Sequence, residues 1–295
     1  MASLPPELVP PGYEAGEPLG SGPWSRYAQA RRTADGAAVV LGLIDTGLAP
    51  VEPIVAQLGT LTGSDSFPAP QQAGAIPDTS VVWYAYEGVG APASARLSFG
   101  TLAADEAAAL GIAAALLLDR QGAISGYHGA ISPAVLLWDG ARASILDGGI
   151  GRIALGARLP PSGGSGPYLA PEVLIGEKPT EHGDMYGLGA SLYELMTGRP
   201  PFGGRTTSTV MATVLAEGQR EPSDTERDAN YVVDAVLRAI EKDPEDRWPT
   251  LATFAAALAG ERPTTPPKAG EAVRPRRFGC LPAMLAALAG ACLAR

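Results

Sequence analysis

The segment from residue 126 to residue 151 has the layout of an active-site loop but few of the side chains that catalysis uses. It reads as a loop, a short apolar run, a turn, a second apolar run and a glycine-rich exit. Loops that a rigid scaffold positions often carry catalytic groups. Between His128 and Leu137, however, the chain has no acid, no lysine and no asparagine. A loop with this layout therefore carries few of the groups that acid–base or electrostatic catalysis would use.

Composition argues against several functional classes. With 46% hydrophobic and 18% charged residues, the 295-residue chain can bury a substantial core. A net charge of -9 argues against a nucleic-acid partner, which would require a basic surface. The two cysteines, Cys280 and Cys292, form neither a disulfide framework nor a zinc pattern, and they favour a reducing compartment. The first residues show no signal-peptide pattern.

The sequence on either side of the 126–151 segment changes in character along the chain. Short apolar runs flank a turn at Asp35-Gly36 and predict a strand pair, and a further strand follows at 80–89. From Leu102 a long Ala/Leu helix begins, and four more helical patterns follow the 126–151 segment. The sequence therefore predicts an α+β protein with a small β-rich part and a larger, mainly helical part.

The last 35 residues differ from the rest. Residues 261–277 read as a Pro-rich linker that ends in basic residues, and residues 278–294 form an uncharged apolar run. As a helix that run would be roughly 25 Å long, which is the lower edge of a membrane span. Arginines in front of it would keep the preceding domain on the cytoplasmic side. A helix packed on the domain, which would leave the protein cytoplasmic, is the alternative.

Several motifs in the second half resemble the protein kinase family. The run at residues 166–204 contains Ala170-Pro171-Glu172, similar to the end of a kinase activation segment. Asp184 looks like the start of the central helix of the large lobe, and Arg247 stands where such kinases pair an arginine with the glutamate. The resemblance covers residues 13–260 and implies a two-lobed fold, with an N-lobe at about 13–90, a C-lobe at about 91–260 and a tail at 1–12. Kinase domain, linker and apolar segment together resemble bacterial receptor-type Ser/Thr kinases.

The resemblance places the opening segment at the kinase catalytic loop. His128 and Pro133 match the family pattern, but the family's aspartate, lysine and asparagine do not occur. Their positions hold Ala130, Ser132 and Val135. Asp147 matches the metal-binding acid of the Asp-Phe-Gly motif, with Gly148 in place of the phenylalanine. Because phosphoryl transfer depends on positioning and charge neutralisation, these losses would each remove orders of magnitude in rate.

The small lobe shows the same kind of loss. The run at 19–27 resembles the glycine-rich phosphate loop, with Gly20, Gly22 and Ser25 in the glycine positions, and these residues with Asp147 are the candidate nucleotide contacts. Gly42 occupies the position of the family's lysine. All three lysines of the chain fall in the large lobe or the linker. Arg26, Arg31 or Arg32 is then the candidate substitute cation, with Arg26 nearest the loop, and an exposed strand arginine without such a role is the alternative. In the helix that should supply the lysine's glutamate partner, the expected position is apolar and Glu52 is out of register.

The pattern favours a pseudokinase, since His128, Glu172, Asp184 and Arg247 support the fold and are retained. We expect a membrane-tethered signalling scaffold or regulator with a single-pass anchor at 278–294. Its partner would be a signalling protein, such as an active Ser/Thr kinase or a phosphopeptide-binding protein. Two alternatives stay open: a weak or unconventional Ser/Thr kinase, and a non-catalytic nucleotide sensor.

The same resemblance bears on cofactors and on regulation. No cofactor is certain: ATP is possible, and Mg²⁺ would be bound weakly or not at all because Asp147 would be its only ligand. Ser162 and Ser165, in the activation segment, are possible phosphorylation sites, where a phosphate would add about two negative charges near Arg152 or Arg158.

Overall fold

An antiparallel sheet of five strands forms the first part of the protein in the computed structural model, which describes residues 4–159, 161, 166–203, 207–216 and 230–261. The strands lie in the order β1-β2-β3-β5-β4. They are β1 (Tyr13–Ser21), β2 (Arg26–Arg32), β3 (Ala38–Asp45), β4 (Gln72–Ala75) and β5 (Val81–Glu87). The predicted turn at Asp35-Gly36 is confirmed, and Gly36 supplies its left-handed residue with φ of +74°.

The strand register aligns one row of residues across the middle of this sheet. Tyr27 on β2 pairs with Gly42 on β3, and Gly42 pairs in turn with Tyr84 on β5. Because directly paired residues share a face, the two tyrosine side chains lie on the same face with a glycine between them. The helix α1 (Val51–Leu58) follows β3 and buries Ile54 and Leu58.

The second part is mainly helical. Its helices are α2 (Ala104–Ser125), α3 (Ile150–Gly156), α4 (Pro171–Leu174), α5 (Glu181–Thr197), α6 (Thr207–Ala216), α7 (Asn230–Ala239) and α8 (Leu251–Leu258). The hairpin predicted within the opening segment is present as β6 (Leu136–Trp138) and β7 (Ala143–Ile145). Helix α2 packs against α5 and α8, and α5 packs against α7.

Local signals explain where several of these helices begin and end. Thr250 caps α8 in a reciprocal capping box with Thr253, and Thr180 accepts a hydrogen bond from Gly183 at the start of α5. Gly198, with φ of +74°, ends α5 in the left-handed conformation that favours glycine. These helix ends agree with the helical segments that the periodicity of the sequence predicts.

A continuous apolar core joins the two parts. One buried cluster runs from Leu19 and Tyr27 in the sheet through Leu118 in α2 to Leu258 in α8. The predicted α+β class, with a small β-rich lobe followed by a larger helical lobe, is confirmed. All described residues lie in the compact unit Met1–Arg262.

The predicted linker and the candidate membrane segment at 278–294 lie outside the described residues. Within the part of the chain that is described, no helix combines the length and the hydropathy needed to cross a bilayer.

Candidate functional site

The loop at residues 128–135 connects α2 to β6, and hydrogen bonds to a side chain of α5 fix its first residues. Asp184 on α5 accepts hydrogen bonds from the amides of His128 and Gly129, each at 2.7 Å. The His128 ring lies with Nε2 2.7 Å from the Leu146 carbonyl oxygen, and Nδ1 accepts from the Ala130 amide at 3.2 Å. Both His128 and Asp184 therefore fix the path of the loop.

Burial shifts the pKa of both supporting residues. Burial lowers the pKa of His128 to about 4, so the ring is neutral at physiological pH and its Nε2–H donates to Leu146. Burial likewise raises the pKa of Asp184 to about 7, against the two amide donors that favour its charged form. A neutral, fully hydrogen-bonded histidine is a structural group here and offers no proton acceptor at the loop surface.

The three substituted loop positions face the core. Ala130 and Val135 belong to the buried apolar cluster, and neither side chain carries an acceptor or a metal ligand. The Ser132 side chain is fully buried, and its hydroxyl finds no hydrogen-bond partner among the described residues. The loop therefore supplies packing at each place where a kinase would supply a base, a cation or an amide.

Asp147 lies at the centre of the cleft between the lobes, buried and surrounded by tyrosine hydroxyls. Tyr86 donates to its Oδ1 at 2.8 Å, while Tyr84, at 2.9 Å, and Tyr27 donate to its Oδ2. The Tyr86 hydroxyl also accepts from the Asp147 amide at 2.9 Å. Asp147 has φ of +65°, a left-handed conformation that aspartate tolerates better than most residues.

The electrostatics of this cluster follow from its burial. Burial raises the pKa of Asp147 to about 6, and the hydrogen bonds from Tyr27, Tyr86 and Tyr84 oppose the shift by stabilising the carboxylate. Burial also raises the pKa of each of the three tyrosines well above its usual value, and the neighbouring carboxylate raises it further. The phenols therefore stay protonated and act as donors to the carboxylate.

Gly42, at the position of the family's lysine, leaves room for the Tyr84 ring. A Cβ added to Gly42 would lie 2.5 Å from the Tyr84 hydroxyl oxygen and under 3.0 Å from its ring carbons. The ring therefore occupies the space that a side chain at position 42 would need. The Tyr84 hydroxyl also lies 2.7 Å from Ser25 Oγ, which is fully buried.

The glycine-rich segment before β2 lies directly on the 128–135 loop. A Cβ added to Gly20 would meet the Ala134 side chain at 3.4 Å, and one added to Gly22 would meet Ser132 Oγ at 3.2 Å. Trp24, at the tip of the segment, is buried, and its indole donates to the Gly129 carbonyl at 3.4 Å. The segment that would cover the phosphates in a kinase is thus packed against protein.

Gly148 stands at the position of the phenylalanine in the Asp-Phe-Gly motif, and an aromatic side chain from another segment lies beside it. Phe67, in the loop after α1, lies with its Cβ 3.8 Å from a Cβ added to Gly148. In the same loop, the Ser66 carbonyl accepts from the Ile145 amide at 2.8 Å, which ties the loop to the large lobe. A phenyl group therefore lies near the position of the motif phenylalanine, and the loop after α1 supplies it.

Glu172 and Arg247, two of the residues expected to support the fold, pair with each other. Glu172 and Arg247 form a buried bidentate ion pair, with Nη1 to Oε1 at 2.7 Å and Nη2 to Oε2 at 2.8 Å. Arg247 also donates to the carbonyls of His182, Glu241 and Lys242. This pair anchors the segment at Pro171 and Glu172 to the chain before α8.

Two other expectations concern side chains near the cleft. Arg26 is exposed and pairs with Leu43, whose side chain lies in a cluster on the other face of the sheet, away from Asp147. Arg26 as a substitute cation therefore does not fit the structure. Glu52 is exposed on α1, while Ile54 is buried. Ser162 and Ser165 lie outside the described residues, so their phosphorylation stays a prediction.

The arrangement does not fit a magnesium ion with nucleotide phosphates. Both oxygens of Asp147 already accept phenol hydroxyls, Val135 offers no oxygen ligand, and Tyr84 fills the space beside Gly42. Among the described residues, no group of three His, Cys, Asp or Glu side chains could hold a metal ion.

The sequence analysis did not single out the three tyrosines. Tyr84 and Tyr86 lie two residues apart on one strand, and this spacing, which places both side chains on one face of the sheet, was the available signal.

The small β-rich lobe followed by the larger helical lobe has the fold of a protein kinase domain. The structure is similar to that of Rad53 residues 1–466 in complex with AMP-PNP, with a TM-score of 0.58 and 19% identity, over 83% of this chain and 64% of that chain. The two-lobed protein kinase fold expected from the sequence is thereby confirmed.

The sequence relatives are bacterial serine/threonine kinases. A family model described as the protein kinase domain matches residues 134–257, which is less than half of the chain. The serine/threonine-protein kinase PknB of Mycobacterium leprae is 34% identical over 119 residues, or 40% of this chain and 19% of that protein. The serine/threonine-protein kinase PkaA of Streptomyces coelicolor is 41% identical over 95 residues, or 32% of this chain and 17% of that protein. The matched parts thus span about a fifth of these curated relatives, and the family model begins at residue 134, after Ala130 and Ser132 but before Val135.

Proposed function

We propose that this chain is a catalytically inactive kinase-like domain, a pseudokinase that acts as a signalling scaffold or regulator. The observation that carries the proposal is the Tyr84 ring in the space beside Gly42, with its hydroxyl on Asp147. Loss of the family's lysine without any compensation would leave the space beside position 42 empty. In this chain the Tyr84 ring fills that space, and its hydroxyl also donates a hydrogen bond to Asp147.

The lower wall of the cleft supports the same proposal. A kinase needs an acceptor for the proton of the substrate hydroxyl and donors for the developing charge on the phosphoryl group. Ala130 offers no acceptor, and the two nearby acids in the loop region are engaged: Asp184 by two amides and Asp147 by three phenols. Neither is placed to take that proton without breaking hydrogen bonds that hold the loop or the cleft.

A phosphate-transfer assay tests inactivity. Purified protein from a host without Ser/Thr kinases is incubated with γ-labelled ATP, Mg²⁺ or Mn²⁺, and a serine-containing peptide. We expect no transfer above that of the Asp147→Ala variant, measured in parallel. Transfer that Asp147→Ala abolishes would instead support the alternative of an unconventional Ser/Thr kinase and would overturn the proposal.

We further propose that the domain is tethered at the cytoplasmic face of a membrane and binds a signalling protein there. The support is the order of basic linker and apolar segment in the sequence, at 261–277 and 278–294. Membrane fractionation of the full chain and of a chain lacking 278–295 tests this. The full chain should sediment with membranes and the shortened one should not; equal distribution would refute the tether.

A further inference from the structure

The four side chains at the centre of the cleft join the two lobes directly. Tyr27, Tyr84 and Tyr86 belong to the sheet of the small lobe, and Asp147 follows the β6–β7 hairpin of the large lobe. We propose that these four residues, the tyrosine lock, hold the two lobes closed in the absence of any nucleotide. This inference concerns the conformation of the domain and is independent of its proposed scaffold role.

The sheet register makes the lock possible. Tyr27 and Tyr84 flank Gly42 in one cross-strand row, and their hydroxyls lie 3.5 Å apart above the glycine. Tyr86 lies two residues further along β5, on the same face, and its ring meets that of Tyr84 edge to face at 5.7 Å. Three hydroxyls from two strands thus converge on one carboxylate.

Both oxygens of the Asp147 carboxylate accept hydrogen bonds from side chains of the small lobe. Its two oxygens accept only hydroxyls of the tyrosine lock in the described structure, and the Asp147 amide donates to Tyr86. Hydrogen bonds to a charged acceptor in a buried site are stronger than neutral ones, and a partner lost there leaves a buried charge unsatisfied. Opening the cleft would break all of these bonds together.

Other contacts between the lobes lie around the lock and close the same gap. The Trp24 indole donates to Gly129, and the Ser94 hydroxyl donates to the Leu19 carbonyl. Lobe closure elsewhere generally depends on a ligand that contacts both walls of a cleft. Here the protein's own side chains contact both walls, so a partner would meet one surface whether or not nucleotide is present.

Hydrogen exchange of the full chain tests the lock. The reporters are the amides at 20–25 and at 128–136, which face each other across the closed cleft. A variant with Tyr27→Phe, Tyr84→Phe and Tyr86→Phe keeps the rings and removes the hydroxyls. At roughly tenfold for each of the three hydroxyls, we expect exchange at the reporters to rise on the order of 1,000-fold if the three effects are additive in free energy.

Tyr13→Phe is the matched control. Tyr13 is also buried in the sheet and donates its hydroxyl to Gln72 at 2.7 Å, but it lies in a separate cluster away from the cleft. It should leave exchange at both reporter segments unchanged.

A single variant keeps the test decisive if the triple variant does not fold. Tyr27→Phe alone should raise exchange at 20–25 by roughly tenfold, with the far-ultraviolet spectrum unchanged. Exchange equal to that of the wild type in the folded variants would overturn the lock. So would wild-type protein in which 20–25 becomes protected only after ATP and Mg²⁺ are added.

Discussion

Gly42 and Tyr84 should be energetically coupled, because the tyrosine ring occupies the space of a side chain at position 42. The perturbation is a double-mutant cycle of Gly42→Ala and Tyr84→Val. Valine removes the ring and the hydroxyl but keeps a residue that favours strands. The cycle asks whether a methyl group at position 42 becomes tolerable once the ring is gone.

The structure sets the expected magnitudes. A Cβ on Gly42 would lie 2.5 Å from the Tyr84 hydroxyl oxygen, and that hydroxyl is tied to Asp147 and Ser25, so the ring cannot move aside freely. Overpacking of this kind costs about 3 kcal/mol in the free energy of unfolding. Loss of the buried ring costs about 3 kcal/mol. Simple addition predicts about 6 kcal/mol, whereas we expect about 3 to 4, which corresponds to a coupling energy of about 2 to 3 kcal/mol.

Urea unfolding followed by circular dichroism measures all four proteins of the cycle, and equal slopes show that the transitions are comparable. Gly90→Ala is the matched control, because Gly90 is exposed and nothing lies within 4 Å of an added Cβ. It should change the free energy of unfolding by less than about 0.5 kcal/mol and should be additive with Tyr84→Val. Additivity of Gly42→Ala with Tyr84→Val to within about 0.5 kcal/mol would show that the Tyr84 ring does not occupy the space of a side chain at position 42.

Three further predictions concern buried charges. Glu172→Ala leaves Arg247 buried without its carboxylate partner and should cost about 3 to 5 kcal/mol in urea unfolding. Asp35→Ala, at an exposed ion pair, should leave the urea midpoint close to that of the wild type. Equal shifts of the midpoint in the two variants would contradict the assigned role of the buried pair. Because the pKa of His128 is lowered to about 4, the unfolded chain takes up its proton first as the pH falls, and the stability of wild type relative to His128→Gln should drop by about 2 kcal/mol from pH 7 to pH 5. The pKa of Asp147 is instead raised to about 6, so the stability of wild type relative to Asp147→Asn should fall by about 1 kcal/mol as the pH rises from 5 to 7; slopes of equal sign for the two variants would show that at least one shift is assigned wrongly.

The sequence contained enough to predict the frame of the fold. The Asp35-Gly36 turn has the chemistry of a hairpin, and the long Ala/Leu run from Leu102 has the period of a helix, so both could be predicted locally. The pairing of Glu172 with Arg247 spans 75 residues in the chain, and it was accessible only because motif resemblance placed both residues.

The contents of the cleft were harder to predict. Position 42 could be recognised as having lost its lysine, but the sequence does not show which side chain fills the space. That depends on the register of β3 with β5, which pairs Gly42 with Tyr84, and on the path that brings Asp147 beneath both. Phe67 beside Gly148 is a similar case, since a loop far away in sequence supplies the ring. Such replacements are visible only after tertiary contacts are known.

Calorimetric titration of the wild-type protein with ATP and Mg²⁺, together with its thermal unfolding midpoint, tests whether the cleft can hold a nucleotide. If the tyrosines and Asp147 fill the place of the phosphates and the metal, millimolar nucleotide should give no binding heat and no shift in the midpoint. Saturable binding that requires Mg²⁺ and disappears in Asp147→Ala would contradict this account, because ligand bound to the folded state must raise its stability.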